Sequence, residues 1–187
     1  MKHTLAALAL SAIALPAAAA DSYTIDPGHT YPSFEINHLG FSTMRGTFDA
    51  TSGSVTLDPA ARTGSIEIAI DTTSIDTGHA KRDEHLKTDE FFNVARFPSM
   101  TYKATKLKFN GDKLAGADGE LTLLGVTRPV SLTVTSFNCG PHPMNKKQVC
   151  GANATATIKR SEFGMKTYVP AVGDEVKISI EVEAVKN

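Results

Sequence analysis

Five polar side chains crowd one stretch of the 187-residue chain: His79, Arg82, Asp83, His85 and Asp89. On a helix His79 and Asp83 stand four residues apart on one face, a spacing a metal ion can use. His85 falls off that face and no third ligand is fixed, so the structural reading takes precedence: a capped, salt-bridged helix packed on the end of the fold. A second set, Cys139, His142 and Met144, gathers soft ligands in one loop and suits copper while the thiol is free. No G-x-S-x-G elbow, P-loop, G-x-G-x-x-G, H-E-x-x-H or C-x-x-C occurs, which weighs against an enzyme without excluding one.

The elements that must position these groups are strands. Val176, Ile178, Ile180, Val182 and Ala184 alternate with Lys177, Ser179, Glu181 and Glu183, one face apolar and one wet. The same period recurs in Phe34 and Ile36, in Val55 and Leu57, in Ile66, Ile68 and Ile70, in Val130, Leu132 and Val134, and in Ala152, Ala154, Ala156 and Ile158. Turn residues separate the runs, among them Pro27-Gly28, Asp58-Pro59 and Asn110-Gly111-Asp112. Only Gly78 to Val94 breaks the rhythm; it predicts one or two short helices, with Asp83 and Lys87 free to pair on the solvent face, ended before Pro98. The fold class is all-β, and about eight strands with so little helical cover close most economically into an antiparallel barrel.

A barrel of that size has a bore that side chains either fill or leave open for one ligand. The methyl-sized Ala152, Ala154, Ala156 face leaves room, whereas Phe91, Phe92, Phe97 and Phe163 are bulky enough to plug it. His38 continues the Phe34, Ile36 alternation inward. It reads as a core histidine bonded to the backbone, with a contact to a ligand's polar head as the other reading.

Residues 1–20 carry Lys2, an apolar run from Leu5 to Leu15, Pro16 and then Ala17 to Ala20, the pattern of a cleaved secretory signal peptide. The run is too short for a membrane span, and no cysteine follows to take a lipid. Residues 21–187 then form one domain in an oxidising compartment, where Cys139 and Cys150, the only cysteines, are expected to bridge and so consume the copper site. With 19 basic and 20 acidic residues and no basic stripe, nucleic-acid binding is disfavoured.

The residues also resemble a known family, the YceI-like proteins, described as polyisoprenoid-binding or lipid-binding periplasmic proteins. The likeness runs through Tyr23, Ile25, Asp26 and His29, then Phe34, Ile36, His38, Gly40, Gly46 and Phe48. It is densest in Ser74-Ile75-Asp76-Thr77-Gly78 with Arg82-Asp83, His85-Leu86, Asp89 and Phe91, and returns at Phe97-Pro98, Gly119, Leu121-Thr122-Leu123, Gly125-Val126-Thr127 and Pro129-Val130. It closes with Arg160-Ser161, Phe163-Gly164, Asp174 and Val176. Thr30 stands where the family often has Ser, and the loop between the cysteines is not a general family feature. The resemblance implies a lipocalin-like eight-stranded barrel whose apolar pocket takes an isoprenoid chain, a quinone tail or a comparable amphiphile, in members that are often dimeric.

The expected function is accordingly periplasmic binding of an isoprenoid, isoprenoid-quinone or long acyl lipid, with no catalytic step, no cofactor other than the lipid and no metal. The expected lipid-binding wall is Phe34, Ile36, His38, Ile66, Ile68, Ile70, Phe91, Met100, Tyr102, Leu121, Leu123, Val130, Leu132, Val134, Ile178 and Ile180. Two other classes stay open: a metal-dependent periplasmic enzyme using His79, Asp83 and His85, and a stress-associated interaction module with a filled core.

Overall fold

The computed structural model describes residues 20–187, so the leader reading, Ala20 apart, lies outside the described residues. Eleven strands follow in order: β1 (Asp21–Ile25), β2 (Tyr31–His38), β3 (Ser42–Phe48), β4 (Thr51–Asp58), β5 (Thr63–Asp71), β6 (Ile75–Asp76), β7 (Ser99–Asn110), β8 (Lys113–Leu123), β9 (Val126–Pro141), β10 (Gln148–Lys159) and β11 (Val172–Lys186). The α-helix among the described residues, α1 (Ala80–Leu86), lies between β6 and β7. Within the expected helical stretch it is the part that forms, because turns at Thr88 and Asn93 carry the chain onward to Pro98.

These eleven segments make eight strands. β1 and β2 both pair with β11, through Thr24 on Val185 at one end and Phe34 on Ile178 at the other. β4 pairs with β1 and β3 with β2; β5 then pairs with β4 and β6 with β3. Three long strands are therefore each broken once, and the whole is an up-and-down antiparallel meander that closes where β1 and β2 meet β11. The expected eight-stranded barrel is what the chain forms.

Local chemistry places the breaks. Pro27 has no N–H for a ladder, and the Asp26 carboxylate accepts from the Gly28 N–H, capping a 3-10 turn at Pro27–His29. Asp71 caps the turn at Thr72–Ser74 in the same way, through the Thr73 N–H. Ser74 Oγ then accepts the N–H of Ala50, so the breaks in the second and third strands lie side by side.

The lower end of the barrel holds residue 21, the C-terminus and the turns at 59–62, 111–112 and 142–147; the upper end holds α1 and the connections at 39–41, 124–125 and 160–171. Two apolar clusters form, an upper one around Phe48, Ile70, Met100, Tyr102, Leu121 and Phe163, and a lower one of Tyr23, Ile25, Leu57, Cys150 and Ala184. Cys139 and Cys150 are direct cross-strand partners on β9 and β10 and form a disulfide at the lower end.

Candidate functional site: an apolar cavity with a cationic mouth

A cavity of about 520 Å³ occupies the bore, within the roughly 300–1,000 Å³ usual for small-molecule sites. All sixteen residues expected on the wall line it. Alternation explains why: inward positions of a closed sheet repeat every second residue, and Ile66, Ile68 and Ile70 keep that beat through β5 while Glu67 stays outside beside Lys103. Ala152 and Ala154 also line the space, and Phe91 and Phe92 stand on its wall without filling it. Of the two readings of the bore, the partly unfilled one describes this molecule. Phe97 packs instead beneath Gly125 and Arg96, outside the cavity.

Several wall residues escaped the alternation. On β9 the pairing slips between Ser136 and Val134, so Thr135 bulges and the inward parity moves from Val134 to Phe137, which closes the lower cavity. A bulge at Thr105 does the same on β7, carrying the inward face from Ala104 to Leu107, which packs against both apolar clusters. Thr51, Arg160, Met165 and Tyr168 also line the cavity. They sit at strand breaks or in the upper connections, where no period exists to find them.

Polar groups on the wall are mostly spoken for. Tyr102 reaches across the sheet to donate to the carbonyls of Val130 and Ala117, at 3.0 and 3.3 Å, and burial pushes its phenol up to about 12. Gly119 makes room for it, because a Cβ there would stand 2.6 Å from the Tyr102 hydroxyl oxygen. Gly46 likewise admits the Phe34 ring, whose Cζ would be 2.6 Å from a Cβ. Among the buried side-chain atoms of the described residues the exception is Thr51 Oγ1, which has no hydrogen-bond partner.

The cavity meets solvent at the upper end. The exposed members of its wall, Arg45, His85 and Tyr168, all belong to that end, whereas Tyr23, Leu57, Cys150 and Ala184 at the lower end are buried. His38 stands half-buried at the same mouth. Its ring makes no hydrogen bond among the described residues, so the backbone-bonded reading of it does not hold.

Around this mouth the charged stretch from His79 to Asp89 finds its roles. His79 is the N-cap of α1, its Nδ1 accepting from the Arg82 N–H at 3.3 Å. Asp83 is buried and accepts from both the N–H and the hydroxyl of Thr77. The expected Asp83–Lys87 surface pair is therefore corrected: Asp83 turns inward to tie the chain before the helix, and Lys87 reaches Glu84 at 3.1 Å. Arg82 donates from Nε to Thr77 Oγ1 and from Nη2 to the Thr77 carbonyl, both at 2.7 Å. His85 pairs with Glu90 at 2.6 Å and sets its ring edge-on to Phe91. His79, Asp83 and His85 are thus spent on three separate jobs and do not converge on one point.

Arg160 is 3% exposed and donates to three carbonyls, Gly173 at 2.8 Å, Val172 at 3.0 Å and Met165 at 3.3 Å, pinning the loop from β10 to β11 across the barrel end. Burial lowers its pKa, which leaves it a cation at any ordinary pH. Asp174 lies near, but its carboxylate accepts from the Ser161 N–H and hydroxyl, bonds that hold its carboxyl below the usual range. The ligand-like group of His and carboxylates that does gather, Asp26, His29 and Glu183, is on the outer surface at the β1–β2 break. The disulfide takes Cys139 out of the soft-ligand set, and Met144 is 85% exposed.

The YceI-like domain model matches residues 23–184, nearly all of the described chain. The chain belongs to the YceI-like family. Protein YceI of Escherichia coli O157:H7 is 38% identical over a 193-residue alignment spanning 100% of this chain and 99% of the relative. Among solved structures, Burkholderia cenocepacia BcnA superposes with a TM-score of 0.71 at 25% identity, covering 85% of this chain and 98% of that one. A polyisoprenoid binding domain from Saccharophagus degradans, implicated in plant cell wall breakdown, shares the fold at 16% identity and a TM-score of 0.66, covering 88% and 98%. In this YceI-like chain the disulfide joins β9 to β10 at the closed end of the bore, opposite the mouth, so the cysteine loop does not border the cavity opening.

Proposed function

We propose that the mature protein is a periplasmic binding protein that sequesters or carries an isoprenoid, quinone-type or other long-chain amphiphile in its barrel and performs no reaction on it. The observation that carries this reading is the cavity: a blind apolar bore, open at one end, walled by Ile, Val, Leu, Met and Phe side chains. A tail burying about 500 Å² contributes about 12 kcal/mol at ~25 cal/mol per Å², enough to offset most of the 4–15 kcal/mol that association costs. Family membership and the same fold in a polyisoprenoid binding domain support it. The leader at residues 1–20 supports export.

The test is titration of lipid-free protein with isoprenoid and acyl chains of increasing length, read by displacement of an environment-sensitive apolar dye. Affinity should rise with each added unit until the tail fills the bore and then level off. A flat response at all lengths would contradict the proposal.

A further inference from the structure

An amphiphile has two ends, and the cavity wall treats them differently. Among the described residues the wall carries no Asp, Glu or Lys, yet it carries five cationic or protonatable side chains: His38, Arg45, Arg82, His85 and Arg160. All five come from the upper end, so the arginines and histidines of the wall gather at the mouth and the depth of the bore is hydrocarbon. Two are already matched, Arg45 by Glu35 at 2.7 Å and His85 by Glu90. Arg82 and Arg160 make no ion pair among the described residues; their acceptors are a threonine and backbone carbonyls.

The donors left over are specific. An arginine fork carries five N–H groups. Arg82, a residue of the cavity wall, spends Nε and one N–H of Nη2, which leaves Nη1 unbonded among the described residues. Arg160 keeps one N–H on each Nη at the same end. Asp174 lies near Arg160, and the Asp83 carboxylate shares the Thr77 hydroxyl with Arg82, but neither carboxylate bonds a guanidinium directly, so those N–H groups stay open to an oxyanion; guanidinium favours planar or tetrahedral oxyanions with two oxygens to offer.

Building on the lipid-binding reading, we propose that this collar selects amphiphiles with an anionic oxygen head, a carboxylate or phosphate, bound at Arg82 near the mouth while the tail runs down toward Phe137. A neutral alcohol of the same tail fills the bore but leaves the fork unpaired.

The test compares geranylgeranyl monophosphate with geranylgeraniol, two ligands that differ only at the head, as competitors for an apolar dye in the purified lipid-free protein. The phosphate should bind at least tenfold tighter in low salt, and the ratio should fall below threefold in 0.5 M NaCl, because screening acts on the head alone. Arg82→Gln should bring the low-salt ratio close to one by loss of phosphate affinity. Arg128→Gln, at an exposed arginine outside the cavity wall, should keep it. If Arg82→Gln lowers the melt, the salt dependence of the wild type carries the test unaided. Equal binding of both ligands, or a ratio indifferent to salt, overturns the head-group inference and leaves the barrel reading standing. Failure of both ligands to bind overturns both. Tight binding of inorganic phosphate without any tail would assign the fork to a free anion and also overturn it.

Discussion

Thr51 is where a single atom tests the logic of the wall. Its hydroxyl is buried at the β3–β4 break, on a residue of the cavity wall, and has no partner among the described residues, and an unsatisfied buried hydroxyl costs about 1–3 kcal/mol. Thr51→Val, which keeps the shape and removes the oxygen, should therefore leave stability unchanged or raise it by about 1 kcal/mol in urea denaturation. A loss of more than about 1 kcal/mol would mean the hydroxyl is bonded in solution. At this scale the sequence told most about residues inside regular strands. Ile66, Ile68 and Ile70 were legible because each side chain's direction follows from its neighbour's. Thr51 was not, since the alternation does not carry across a strand break, nor was Arg160, whose direction in a 3-10 turn is set by hydrogen bonds to distant carbonyls.

At the scale of elements, the strand breaks and bulges decide which faces reach the bore. The approximate number of strands and their antiparallel character were readable from alternation and turn residues, but a bulge adds one residue with no compositional mark, which is why Phe137 was missed. The β5 register is directly testable. Ile68→Trp should crowd the bore, weakening binding of a long tail at least tenfold, with a stability cost of about 1–3 kcal/mol in the ligand-free melt. Glu67→Gln, on the outer face beside Lys103, should change neither by a measurable amount. Full affinity and a normal melt in Ile68→Trp would place the ligand elsewhere. The β1–β2 break carries a pH signature. Asp26 is held below 3.8 chiefly by the His29 ring bond and then by the Gly28 N–H, and His29 is raised above 6.5 by the same ring bond and the charge of Asp26. The lowered carboxyl stabilises above its unfolded value and loses this as pH falls through its folded value; the raised imidazole stabilises below 6.5 and loses this as pH rises through its folded value. The pair thus contributes most between about pH 4 and 6.5, and modestly, because it is solvent-exposed. His29→Gln should remove the small gain in melting temperature that the wild type has at pH 5.5 over pH 8. Parallel pH profiles for the two proteins would contradict this.

For the whole molecule, closure is what turns a lean set of apolar strands into a binding site. Ladders run from β1 round to β11 and back, so the barrel needs no filled centre to satisfy its backbone, and apolar side chains can line a space instead of packing it solid. The sequence indicated the barrel but balanced an open bore against a plugged one, because volume depends on where four phenylalanines point. Phe91 and Phe92 border the mouth, Phe163 is buried in the upper cluster and Phe97 lies outside, and the bore stays open. The most direct measurement of the central claim is native mass spectrometry of the protein purified from the cells that produce it, followed by organic extraction of what it releases. The account predicts a mass excess of one long-chain amphiphile per chain, lost on extraction and regained on adding the extract back. Protein that carries only its own polypeptide mass, and takes up no isoprenoid or acyl chain offered to it, would contradict it.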